Sequence, residues 1–290
     1  MSINQPIQLP VESYSSLDAN APQLTNTGET GEIKSILKAV LSTGYGIKPA
    51  ATGWQMLFED ADKAVFRSID PRSTGFCVRI DNNATKGGQV TCYESMTDVD
   101  TGVAQWSDSS AGFVHNATNV TSVTWRMYVT PVSFVLMTNA QIFGNNYPVG
   151  FWFGDMLSTK ESDNGNCCVM HPVKTGQGAT QTHGGFLTNS YSKKAIAKNH
   201  NSTSTGIEPR IYGGFLNLTT TDIYPGHNGY PVYICESNNA VRLLPPWTVS
   251  NKKESINASE QVINGRSYLV TNNGFSAEYV YFIPVDYWLI

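Results

Sequence analysis

The sequence predicts a mainly β protein, with β-sandwich-like sheets, one N-terminal α-helix and an extended N-terminal arm. Three observations predict it. Runs of partly alternating apolar and polar residues, rich in Val, Ile, Tyr, Phe and Trp and bounded by Gly, Pro, Asn and Asp, recur from residue 64 to residue 290. One stretch places its apolar residues at convincing helical spacing. Charged residues make up only 14% of the 290, against roughly 25% in ordinary soluble domains, while the 40% of apolar residues suffices for a large core.

Residues 1–28 read as an arm. Pro6, Pro10 and Pro22 punctuate it, Ser, Asn and Thr fill it, and it has too few large apolar residues to build a core. Such an arm is either disordered or laid along a neighbouring subunit, in the second case through Tyr14, Leu17, Pro22 and Leu24. Over residues 29–43, Ile33, Ile36, Leu37, Val40 and Leu41 share one helical face. Thr27 or Thr30 is placed to cap this helix, and Gly44 and Gly46 to end it.

Strands follow at residues 64–69 and 76–80, joined by the turn Asp70-Pro71-Arg72-Ser73-Thr74-Gly75, with a third at 89–93. Another pair, 122–129 and 133–137, flanks Thr130-Pro131, and residues 147–153 make a further aromatic strand. Residues 156–206 are rich in Gly, Asn, Thr, Ser and Lys, and read as a long surface loop or an insertion. Strands return at 210–218, 230–236, 267–271 and 278–284. The expected organisation is an arm (1–28), a helix-plus-sheet domain that anchors the protein (29–110) and a β-rich domain (111–290). The apolar end of the chain is assigned in two parts: Val280 to Ile283 to the core, and Tyr287, Trp288, Leu289 and Ile290 to an interface.

The search for chemistry returns little. There is no G-x-S-x-G elbow and no phosphate loop with its Lys-Ser/Thr. His171 and His183 lack the spacing of a zinc pair. Cys167-Cys168 is a vicinal pair in a Gly/Asn-rich loop with no C-x-x-C partner, and Cys77 reads as a buried thiol. Asp98 and Asp100 begin an oxygen-ligand loop but lack the later ligands of an EF-hand. A turn held by their side chains is the simpler account. Glu59, Asp60, Asp62 and Glu94 are the carboxylates open to a glycosidase pair, whose separation sequence cannot supply. Trp106, Trp125, Trp152 and Tyr147 suit either a core or a sugar platform. No cofactor is expected. The net charge of −4, with basic residues concentrated only at Lys193, Lys194 and Lys198, speaks against a nucleic-acid partner. No run of residues is apolar enough to span a bilayer as a helix.

Six segments stand in order along the chain: Tyr14-Ser15-Ser16 with Ala21-Pro22-Gln23-Leu24, the helix ending in Gly44-Tyr45-Gly46, Gly53-Trp54 with Phe58, Lys63-Ala64-Val65-Phe66-Arg67-Ser68, Val78-Arg79-Ile80-Asp81-Asn82 and Tyr93-Glu94-Ser95-Met96-Thr97-Asp98-Val99-Asp100-Thr101-Gly102. Together they resemble a family of structural proteins of tailed-bacteriophage virions. The match covers residues 14–102. It implies a non-enzymatic virion component at the neck or collar, head surface or tail, assembled in a bacterial cytoplasm as a homo-oligomer with other virion proteins. It carries no catalytic residues. Two other readings stand beside it: a receptor-binding tip that contacts a host-surface glycan through residues 156–206, and a depolymerase.

Overall fold

Among the described residues the chain runs mainly as antiparallel strands. The computed structural model describes residues 6–25, 28–84, 87–106, 112–114, 123–142, 145–160, 163–172, 193–197, 210–213, 230–236, 239–250, 259–272 and 280–290. The arm contributes β1 (Gln8–Pro10) and β2 (Glu12–Ser15), followed by α1 (Glu32–Lys38), which runs into a π-helical turn at Ala39–Thr43. Next come β3 (Trp54–Glu59), β4 (Lys63–Ser68), β5 (Cys77–Ala84), β6 (Gly87–Met96), β7 (Gly102–Gln105) and β8 (Gly112–Val114). They are followed by β9 (Trp125–Val129), β10 (Ser133–Ile142), β11 (Asn145–Asp155), β12 (Leu157–Ser158), β13 (Cys167–Pro172) and β14 (Lys193–Ala197). The last are β15 (Arg210–Gly213), β16 (Tyr230–Glu236), β17 (Asn239–Ser250), β18 (Ser259–Ile263), β19 (Arg266–Asn272), β20 (Val280–Pro284) and β21 (Tyr287–Leu289).

Among the described residues the strands form four antiparallel sheets, and the fold is mainly β as expected. One is the ribbon β1-β21. The second runs β14-β13-β11-β10-β9-β2. The third runs β3-β4-β5-β6-β7, with β8 also on β6. The fourth runs β15-β16-β17-β20-β19-β18, with β12 on β17.

The helix sits against β4 and β5 of the third sheet, and its five expected apolar residues are all fully buried. Its start differs from expectation. Gly31, at φ 79°, precedes the first turn and gives no side-chain cap. Asn82, at the end of β5, reaches across instead: its Oδ1 accepts from the N–H of Ile33 at 2.8 Å and from that of Lys34 at 3.5 Å. A tertiary contact thus satisfies donors that a local Ser or Thr usually takes. The expected glycine stop is present, with Gly44 at φ 72°. A Cβ there would lie 2.6 Å from the Lys48 carbonyl oxygen, so the close return of the chain requires glycine.

One core joins the arm, the helix, the third sheet and the second sheet. It includes Tyr14, Leu24, Ile36, Trp54, Phe66, Val78, Trp125, Phe134, Phe151 and Val169. Polar stitches follow the same seam. Trp54 Nε1 donates to the Thr130 carbonyl at 2.8 Å, and Ser68 Oγ donates to the Pro131 carbonyl at 2.7 Å. The core therefore does not divide at residue 110.

Two expectations about the ends are corrected. The arm is tied down by its own chain: β2 pairs with β9, and Leu24 bridges to Val123. Tyr14 and Leu24 are buried there. At the other end β21 pairs with β1, opposing Trp288 to Leu9, and Trp288 is fully buried with its Nε1 donating to the Pro284 carbonyl. Residues 156–206 are also not loop throughout, since they contain β12, β13 and β14.

Candidate functional site

The segment that dominates the resemblance is the β6–β7 hairpin. Thr97 N–H donates to the Thr101 carbonyl at 2.9 Å, and Asp100 N–H donates to Asp98 Oδ1 at 3.3 Å, which is an Asx-type turn. The Asp100 carboxylate accepts Lys63 Nζ at 2.8 Å and Arg79 Nη1 at 3.1 Å from the neighbouring strands. The hydrogen bond from Lys63 holds the Asp100 carboxyl below the usual carboxylate range. Tyr93 lies over Gly102 so closely that a Cβ at 102 would sit 2.3 Å from the ring. Tyr93, Thr97, Thr101 and Gly102 thus close the hairpin, and Asp98 and Asp100 work as turn and ion-pair groups. Among the described residues no cluster of three or more His, Cys, Asp or Glu is placed to hold a metal.

A cleft of about 420 Å³ opens between β2, the loop after it, β9 and β18. Ser13, Tyr14, Ser15, Leu17, Asp18 and Lys48 line one wall. Arg126, Tyr128, Ser259 and Glu260 line the other. On the first wall Asp18 accepts from Tyr45 Oη at 2.6 Å, Lys48 Nζ at 2.7 Å and Ser15 N–H at 2.9 Å. Burial pushes its carboxyl up, but these donors outweigh it and hold it below the usual range. Burial and the Asp18 carboxylate together push the Tyr45 hydroxyl far above its ordinary value. Lys48 also lies over the Tyr14 ring at 4.9 Å.

On the second wall Tyr128 Oη donates to Glu260 at 3.0 Å, while the Arg126 guanidinium stands 3.6 Å from the same carboxylate. That separation exceeds a hydrogen bond and leaves both groups with capacity for a ligand. The cleft holds two cations and two carboxylates, so it suits a neutral or zwitterionic polar ligand rather than a polyanion.

A buried polar node lies elsewhere, between the second and third sheets. Asp155 closes β11 and is 3% exposed. Its carboxylate accepts the Thr74 N–H at 2.6 Å and the Thr74 hydroxyl at 2.7 Å. Desolvation raises its pKa from 3.8 to about 6 despite those bonds. Cys167 stands opposite it in register, and burial raises that thiol well above its ordinary value. The vicinal cysteines therefore lie buried in strand β13, not in a loop.

The expected interface residues separate into two groups. Leu17 is 78% exposed at the mouth of the cleft. Pro22, Tyr287, Leu289 and Ile290 are partly exposed, whereas Tyr14, Leu24 and Trp288 are core. The Pro22 carbonyl is occupied by Trp125 Nε1 at 2.7 Å. The candidate carboxylates Glu59, Asp60, Asp62 and Glu94 do not line the cleft, and Glu59 is taken up by Lys34 and Lys38 at 3.1 and 2.6 Å. Trp106, Trp125 and Trp152 are buried, which removes them as sugar platforms. Tyr147 lies in β11 and His171 in β13, while His183 and Lys198 fall outside the described residues. Lys48, Arg126, Tyr128 and Glu260 carried no local signal in the sequence. The pairing of β2 with β9 and the contact of Glu260 on β18 with Tyr128 on β9, each across more than a hundred residues, bring them together.

No helix among the described residues is long and apolar enough to cross a membrane. No family model matches the chain, and no curated protein is significantly similar to it.

Proposed function

We propose that this protein is a structural component of a tailed-phage virion, acting through assembly and subunit contacts at the neck or collar, head surface or tail. The observation that carries the reading is the ordered resemblance over residues 14–102, together with what those residues do in the fold. Tyr14, Trp54, Asn82, Tyr93, Asp100 and Gly102 pack the core, cap the helix or close hairpins. A segment whose distinctive residues maintain a scaffold suits an assembly protein better than an enzyme. The low charge supports the same reading, because amides and hydroxyls are desolvated at subunit contacts at far lower cost than charges. The protein works without a cofactor, as a homo-oligomer beside other virion proteins.

Electron microscopy of the parent particle, labelled with antibody to residues 156–206, tests this. Label at the neck, head or tail is the expected result. Absence of label from every particle defeats the reading.

The cleft favours a second reading, host-surface contact through a glycan. Its Ser-rich lining and the loosely paired Arg126 and Glu260 match the hydroxyls of a saccharide. Binding on a glycan array that is abolished by Arg126→Ala would favour it, as would label confined to the distal tail.

A further inference from the structure

The outer edge of a sheet presents unpaired N–H and C=O groups and templates another strand, so folded proteins protect their edges. Several edges here are protected. β3 is bulged at Leu57, between Met56 and Phe58. β7 is broken by Ala104 at φ 52°. β14 carries two adjacent lysines, Lys193 and Lys194. Beside β2, Glu12 accepts the Thr52 N–H at 2.9 Å, and Tyr14 Oη lies 3.2 Å from the Pro49 carbonyl. Among the described residues β18 has no bulge, no left-handed residue and no lysine, and Glu260 is its one charge. It ends the fourth sheet, and its five residues, Ser-Glu-Gln-Val-Ile, contain no Pro, Lys or Arg. They pair with β19 in unbroken register from Ser259↔Val270 to Ile263↔Arg266. Gln261 is exposed, and Val262 is 73% exposed.

We infer that β18 is a docking edge for β18 of a second copy of this chain, joined antiparallel across a two-fold axis at Gln261, so that the fourth sheet continues from one subunit into the next. Hairpin geometry sets the register. Asn264 and Gly265, at φ 51° and 77°, make a two-residue turn, and Ile263↔Arg266 is its closing hydrogen-bonded pair. Alternation then turns the N–H and C=O of Val262 and Glu260 away from β19, toward the open edge.

A two-fold axis at Gln261 sets Glu260 of each copy opposite Val262 of the other. These are the residues whose backbone groups face outward, so both pairs exchange hydrogen bonds. An axis at Glu260 would oppose two carboxylates, which is unfavourable. An axis at Val262 would bring Glu260 opposite the turn residue Asn264, where the strand has ended. The edge is therefore complementary to itself in one register, as an isologous contact requires.

The inference rests on the assembly reading and deepens it by naming the surface through which copies meet. It is tested with the full chain in solution, separately from any particle. Light scattering should give twice the chain mass for the wild type. Val262→Pro removes an outward donor and leaves the inner ladder intact. It should lower the mass about twofold while a single cooperative melting transition is retained, and Val262→Lys should do the same. Gln261→Cys sits at the closely spaced, non-hydrogen-bonded pair across the axis and should give a disulfide-linked dimer on mild oxidation. A monomeric wild type overturns the inference. An oligomer that survives both Val262 substitutions and does not cross-link through Gln261→Cys also overturns it, while particle labelling decides the assembly reading independently.

Discussion

Replacing Asp155 by Asn should change how stability depends on pH, and the size follows from the burial of the carboxyl. Its pKa is 3.8 ordinarily and about 6 in the fold, chiefly through desolvation. Between those values the folded chain keeps a proton that the unfolded chain has released. The folded state binds more protons there, so this group's contribution falls as pH rises. The stabilisation is fully present below the ordinary value and is lost as pH passes through the folded one. At 1.36 kcal/mol per unit the whole change is about 3 kcal/mol, of which about 2 kcal/mol falls between roughly pH 4.5 and pH 7.5.

Asp18, Glu59, Asp70 and Asp100, whose carboxyls are held below the usual range, give slopes of the opposite sign. The comparison must therefore be made by difference. Urea unfolding of wild type and Asp155→Asn at both pH values is the assay. Asn should cost stability at the lower pH, and that cost should shrink, or reverse, by about 2 kcal/mol at the higher one. Parallel behaviour of the two proteins across this range would refute the argument that Asp155 is held protonated by its burial.

Other substitutions test the stitches of the fold. Asn82→Ala should destabilise by about 1–3 kcal/mol, read as a lower urea midpoint, because the first turn of α1 loses its acceptor inside the core. Gly102→Ala should cost about 1–3 kcal/mol through collision with the Tyr93 ring, and Tyr93→Ala in the same chain should remove the collision. Asp163→Ala should cost about 3–5 kcal/mol, because it removes the carboxylate to which the fully buried Arg242 guanidinium donates through Nε and Nη2, each at 2.7 Å. Replacing both partners by Leu should recover most of that loss, measured by thermal unfolding.

Local signals in the sequence carried much of the architecture. The apolar face of residues 33–41 is the buried face of the helix, and the paired runs around Asp70-Pro71 and Thr130-Pro131 are hairpins. Side-chain period and turn residues reside in a few consecutive positions, so those elements are legible. What escaped depends on distant partners. The helix cap comes from Asn82, forty-nine positions beyond Ile33. β17 contains Pro245 and Pro246, which argue locally against a long strand. Cys167 and Cys168 sit among Gly and Asn in sequence yet line a sheet, because β11 and β14 supply the pairing that composition does not show. The cleft was invisible for the same reason. Lys48, Arg126 and Glu260 become neighbours only when the arm strand has docked on β9 and the β18–β19 hairpin has closed above it.

The ribbon of β1 and β21 has a mechanical consequence. Ile7 and Ile290 exchange backbone hydrogen bonds at 2.7 and 3.0 Å, so the open end of the ribbon lies where these two positions meet. Tension applied between them loads the hydrogen-bonded rungs in succession, first Ile7 with Ile290 and then Leu9 with Trp288. A ladder opened rung by rung yields at low force, whereas one sheared lengthwise must break its rungs together. The ribbon therefore peels easily when pulled from its open end, until the Leu9–Trp288 pair must leave the core. A pull applied to the arm along the strand direction meets the shear resistance of the whole ladder instead.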